Sequence, residues 1–375
     1  MAKDPVLVVL QLSGGNDYLN TVVPYANSRY WDNRTSINIP EDQVVQLDEK
    51  VGFNPSMAPL KEAFYDKGKM AIMHGVGYAN SPRSHFRSMD IWHTCEPDKV
   101  GTEGWLGRVI RDLDPNKENV VTGVSFGQSM FRAMALAGVP VACVSGSLET
   151  YGMLPGIEQQ QREKILQRFA KAYSPVVGQG EVMDYLGQTG LDSLTGADIL
   201  KVAPERYSST VAYPDTRLGQ KLRGVSQIHN AEVGTRIFYL DHGPYDTHAG
   251  QLSAHKQLWS EVSAAVPAFF DDLRAQEKAD NVVMLIFTEF GRRVRDNGSG
   301  TDHGAGGVSF AIGDAVKGGQ YGEYPSMKAE DLVQGDLNPN MDFRSVYTTL
   351  LEDWMKLDAK PIVNGTFEKP AFINN

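Results

Sequence analysis

Short apolar runs alternate along this chain with stretches in which apolar positions return every three or four residues. Pro5 to Leu12 is rich in Val and Leu and shows no polar alternation, which predicts a central parallel strand buried on both faces. Further strands are predicted at Met70 to Met73 (closing on His74-Gly75-Val76-Gly77), Val120 to Phe126, Pro140 to Val144, Thr235 to Leu240, Asn281 to Thr288 and Val308 to Ile312. Helical spacing marks residues 56–66, about Ser84 to Trp92, the segment GWLGRVIRDL ending at Leu113, the amphipathic stretch 157–173, Ala249 to Arg274 and Phe343 to Met355. Strands alternating with helices predict an α/β fold, a mostly parallel central sheet with helices on both faces. No linker or composition break divides the chain. It reads as a single domain over 1–375, with a helical, more polar cap-like insertion at about 145–232.

With 375 residues the chain can bury a large core, and its formal net charge is -10. No long basic run occurs, which argues against nucleic acid as a partner. Cys95 and Cys143 lack CxxC spacing, so free thiols are expected. No apolar run reaches the length of a membrane span, and the start MAKDPVLVVLQL enters a strand without the three regions of a signal peptide. As written the sequence predicts a cytoplasmic protein, with export after removal of a signal as the alternative.

These strands gain chemical meaning from what stands at their ends. LSGGND brings Asp17, YDTH brings Asp246 and His248, TEFGRR brings Glu289, and the glycine-rich GTDHGAGG brings Asp302 and His303. Ligands of open α/β sheets collect at the carboxyl ends of strands, and carboxylates with imidazoles there make a hard or borderline metal site. Each residue also has a bland reading. Asp17 could bond its own turn, Asp246 could cap a helix with His248 as a first-turn surface residue, and Glu289 could pair with Arg292 or Arg293. His242 and His255 compete with His248 within their cluster. Ser84 opens a predicted helix, where backbone N–H groups and the dipole favour an anion, and its hydroxyl is a candidate nucleophile with Ser81 as competitor. Asn16, His85, Arg87 and Arg292 are candidates for holding an anionic substrate, with Arg83 in support.

Taken together, LSGGND, SHF, GWLGR, YDTHAGQ, TEFGRR, TDHG and DFRSVY resemble the DUF1501 proteins, which are grouped with the alkaline phosphatase and sulfatase superfamily. The resemblance implies an alkaline-phosphatase-like fold and a metal-dependent hydrolase of a small anionic phosphate or sulfate ester. In that reading Ser84 attacks, and Asp17, Asp246, His248, Glu289, Asp302 and His303 hold one or two divalent ions, Zn or Mn favoured and Ca the third option. One departure stands out: Phe290 occupies the place where the superfamily pattern has a His. The other readings on this fold are a phosphotransferase or mutase and a catalytically silent binding protein.

Overall fold

A computed structural model describes residues 3–148, 159–173 and 180–374. Its strands, in chain order, are β1 (Val6–Leu12), β2 (Val22–Val23), β3 (Val45–Gln46), β4 (Gly52–Phe53), β5 (Met70–Gly77), β6 (Gly123–Phe126), β7 (Ala142–Val144), β8 (Ile237–His242), β9 (Val282–Phe287), β10 (Gly307–Ile312), β11 (Gly319–Tyr321) and β12 (Met341–Asp342). The main sheet runs β11-β5-β10-β9-β1-β8-β6-β7, with β12 also on β5, while β2, β4 and β3 form a small second sheet. β1 lies between β8 and β9 and pairs parallel with both. β10 alone among these main-sheet strands is reversed, antiparallel to β9 and to β5. The α/β, mostly parallel fold expected from the apolar runs is therefore present.

Strand periodicity divides the core in two. Successive side chains of a strand point to opposite faces. Val6, Val8, Leu10 and Leu12 of β1 join Phe238 and Leu240, Met284 and Ile286 in a layer with Trp259, Val262, Val266 and Phe270 of the helix Gln251–Ala275. Leu7 and Val9 join Tyr239, Val283 and Leu285 in the opposite layer, with Trp92 of the helix His85–Thr94, Trp105 of Trp105–Leu113 and Tyr347 of Phe343–Thr349. A strand with two apolar faces needs helices on both, which is why β1 shows no alternation.

The stretch 145–232 contains the helices Gln159–Tyr173, Glu181–Lys201 and Arg217–Asn230. The last of these buries Leu218, Leu222, Val225 and Ile228 in the first core layer, so it covers the sheet directly. Residues 149–158 and 174–179 of the expected cap lie outside the described residues. Among the described residues no helix is long and apolar enough to cross a membrane. Cys95 and Cys143 are free.

Candidate metal centre

The direction of β10 decides what meets at the sheet edge. Loops that follow the parallel strands emerge at their carboxyl ends: Ser13 onward after β1, Gly243 onward after β8, and Thr288 onward after β9. Because β10 runs the other way, the loop that precedes it, with Asp302 and His303, arrives at the same edge. The helix His85–Thr94 starts there too, after β5, with Ser84 as its N-cap.

Three imidazoles and one carboxylate converge. His303 Nε2 lies 3.0 Å from His85 Nε2, 3.0 Å from His248 Nε2 and 3.1 Å from Asp246 Oδ1. His248 Nε2 is 3.0 Å from Asp246 Oδ1, and His85 Nε2 is 3.6 Å from Asp246 Oδ2. The opposite nitrogen of each ring is occupied. His85 Nδ1 is 2.8 Å from Glu289 Oε1, His248 Nδ1 is 2.9 Å from Asp302 Oδ1, and His303 Nδ1 is 2.8 Å from the Arg83 carbonyl. An acceptor at Nδ1 fixes the proton on that nitrogen and turns the Nε2 lone pair inward. The His303 lone pair faces those of His85 and His248 at 3.0 Å each, contacts that repel unless a cation lies between them. Donors about 2.0–2.1 Å from a tetrahedral ion are about 3.3 Å apart, so the spacings among His85, His303 and Asp246 fit one ion.

The charges support the same grouping. Partial burial works against the charge on Asp246, but Arg292, His303 and His248 outweigh it and hold its carboxyl down at about 2. The bond to Glu289 raises the His85 imidazole above its usual value, and the bond to His248 lowers Asp302. Glu289 is also tied down by the Gly14 amide at 2.9 Å and the Thr288 hydroxyl at 3.0 Å. It and Asp302 therefore stand behind His85 and His248 and orient them.

Phe290 occupies a buttressing position. Its ring lies 4.9 Å from the His85 ring and 5.1 Å from the His303 ring, centroid to centroid. The glycine pair of LSGGND makes room for these contacts. Gly15 has φ +74°, and a Cβ there would come within 2.4 Å of the Phe290 ring; a Cβ on Gly14, at φ +119°, would come within 2.5 Å of the Asp246 amide.

Several sequence candidates have other partners. Asp17 is sealed from solvent, with Oδ2 at 2.5 Å from Arg34 Nη1 and Oδ1 at 2.9 Å from Arg34 Nη2, and Gln251 Nε2 donates to it as well. Burial raises its pKa, but Arg34 reverses the shift and the net direction is down. Asn16 is fully buried, bonded to Thr21, His255 and Trp259. Arg292 is 1% exposed; its guanidinium donates to Gly14, Gly15, Tyr245 and Thr301 carbonyls and to Asp246 at 2.6 Å. Burial keeps Asn16 and Arg292 out of substrate reach. Arg87 lines the adjacent cleft but is bonded to Asp90 and to the Glu96 and Pro97 carbonyls. The expectation of a substrate contact at His85 gives way to a place in the donor cluster. Its signal in the sequence is only that it follows an N-cap serine.

A cleft of about 820 Å³ opens beside His85, Asp246 and Glu289 and is also lined by Gln11, Ser13 and Ser84. The Ser84 hydroxyl accepts only a long bond, 3.5 Å, from the Arg87 amide.

Solved structures similar to this chain include a protein in the alkaline phosphatase superfamily from Vibrio parahaemolyticus (11% identity, 97% of this chain and 69% of that one, TM-score 0.39). A sulfatase from Pseudoalteromonas sp. (12% identity, 98% and 70%, TM-score 0.41) and the alkaline phosphatase of the Antarctic bacterium TAB5 (10% identity, 84% and 92%, TM-score 0.34) are others. No curated protein matches the chain. Residues 218–365, which carry Asp246, His248, Glu289, Phe290, Arg292, Asp302 and His303, match the model of the family described as "Protein of unknown function (DUF1501)", the family that the sequence motifs resemble.

Proposed function

We propose that the protein is a metal-dependent hydrolase of a phosphate or sulfate ester, with one ion held by His85, His303 and Asp246, His248 standing against the same carboxylate, and Ser84 as the attacking hydroxyl. The observation that carries this reading is the convergence of the His85 and His303 Nε2 atoms with one carboxylate, each ring locked from behind by an acceptor. A donor set dominated by imidazole favours Zn or Mn over Ca, which seeks oxygen. A second ion lacks donors at Asp17 and Glu289, whose oxygens are engaged by Arg34 and Gln251 and by His85, Gly14 and Thr288.

When bound, the ion supplies Lewis acidity toward the ester head. The chain supplies placement. Ser84 sits at the start of a ten-residue helix whose first-turn N–H groups and dipole favour an anion, and its hydroxyl is not held by a strong bond. Glu289 and Asp302 keep His85 and His248 in one orientation, and the Phe290 ring keeps His85 and His303 from turning. The silent-binder alternative drew on Phe290, and its packing against two of the rings weakens that argument.

Elemental analysis of protein purified without chelator, with turnover of 4-nitrophenyl phosphate and sulfate, tests the reading. One equivalent of zinc or manganese is expected, with Ser84→Ala keeping the metal and losing turnover by roughly 10³-fold or more. No metal after reconstitution overturns the proposal. Full turnover in Ser84→Ala removes Ser84 as nucleophile, and metal with ligand binding but no turnover of any ester restores the silent binder.

A further inference from the structure

The cleft beside the metal centre has two unlike ends. Its floor is polar and pre-ordered. Tyr239 donates from its hydroxyl to Gln11 Oε1 at 2.5 Å, and His93 Nε2 lies 3.0 Å from the same oxygen and 2.9 Å from the Tyr239 hydroxyl. These contacts fix the amide of Gln11, whose Nε2 then donates to Ser13 Oγ at 2.7 Å. Burial, with help from Arg132, lowers the His93 imidazole to about 3, so it is neutral at ordinary pH. The Ser13 backbone is pinned on both sides, its amide donating to the His242 carbonyl and its carbonyl accepting from the Tyr245 amide, each at 2.8 Å. Since Ser13 Oγ already accepts from Gln11, its own proton is free for an acceptor in the cleft.

The mouth is apolar. Phe86, next in sequence to His85, is 93% exposed, and Val100 is 71% exposed; both line the cleft with Met89. A phenyl ring left this bare beside a candidate site calls for a partner. The cleft volume falls in the range of about 300–1,000 Å³ that accommodates a drug-sized ligand, well beyond a bare phosphate or sulfate.

We infer that the cleft selects an ester whose organic group is apolar and ring-bearing, stacked on Phe86 against Met89 and Val100, with Ser13 donating a hydrogen bond to an oxygen of the head group. This rests on the proposed hydrolase reading for the identity of the head group. It makes Phe86 a specificity-determining residue and Gln11, His93 and Tyr239 positioning residues for Ser13.

Calorimetric binding of phenylphosphonate and methylphosphonate, neither of which is hydrolysed, tests it on the full chain with and without added zinc. Phenylphosphonate should bind wild type roughly three- to tenfold more tightly than methylphosphonate, as aromatic pairing gives. Phe86→Ala should erase that preference, Ser13→Ala should weaken both probes alike, and Gln11→Leu should repeat the Ser13→Ala result. Equal binding of the two probes by wild type overturns the inference, as does a preference that survives in Phe86→Ala. Tighter binding of glucose 6-phosphate than of phenylphosphonate overturns it in favour of a polar sugar group. A chain that takes up zinc but shows no phenyl preference sinks this inference alone. A chain that takes up no metal sinks the hydrolase reading and leaves the probe comparison decisive for the cleft.

Discussion

Asp17 and Asp246 make an instructive pair. Both follow strands of the same sheet at the same edge, both face a buried guanidinium, and both lie near histidine. Arg34 takes both oxygens of Asp17, Gln251 adds a third donor, and the side chain is closed to solvent. Arg292 takes one oxygen of Asp246, whose side chain stays 40% exposed, and the other oxygen faces His85. A carboxylate whose lone pairs are all engaged is a structural ion pair; one with an oxygen left over, among inward-facing imidazoles, can bind a cation.

That contrast can be broken by mutation. The largest expected effect is at Asp17. Asp17→Asn leaves Arg34 buried without its counter-charge and should cost about 3–5 kcal/mol in urea unfolding, with zinc affinity of the folded protein unchanged. Loss of zinc with unchanged stability would put Asp17 back among the ligands. At the other site the signs reverse. His303→Ala should lower zinc affinity by more than about 100-fold, seen by competition with a chromophoric chelator, with little change in the stability of the metal-free chain. Glu289→Gln, which keeps shape but weakens the hold on His85, should cost about 10- to 100-fold in the same assay, and Asp302→Asn, behind His248, less than that. An effect of Glu289→Gln as large as that of His303→Ala would make Glu289 a direct ligand.

A separate test of the buried groups is in pH. Burial holds His93 at about 3 and His255 at about 4, both below the ordinary 6.5. A depressed folded value means the unfolded chain binds protons first. The stability these neutral rings contribute is therefore complete above about 6.5 and declines as pH falls toward 4, by up to about 1.4 kcal/mol per pH unit for each ring. The lowered value of Asp17 adds a further loss only below its unfolded value of 3.8. His255→Gln should flatten the slope between pH 6.5 and 4; an unchanged slope would mean that His255 is already protonated in the folded state.

Much of this edge is legible in the sequence. The unbroken apolar runs mark β1 and β9, with Asp17 and Glu289 just past their ends, while Asp246 and His248 follow β8 and His303 precedes β10. Two things were hidden for physical reasons. His85 and His303 are 218 residues apart, and only the reversal of β10 brings the second to the first. Asp17 finds its partner in Arg34 at the end of a short helix, Ser28–Asn33, and no local pattern distinguishes that arginine from a surface one. Spacing along a chain shows which residues share an element, but not which loops meet.

Arg292 carries one more consequence. Its single guanidinium is bonded to the loops after β1 and β8 and to the loop before β10, through Gly14, Gly15, Tyr245, Asp246 and Thr301. If any of these loops opened alone, it would strand a buried positive charge with acceptors missing, so breathing of one is coupled to breathing of the others. The edge should fluctuate as a unit. In hydrogen exchange the amides of Gly14, Tyr245 and Thr301, each bonded within the edge, would then share one opening free energy although they come from three distant parts of the chain.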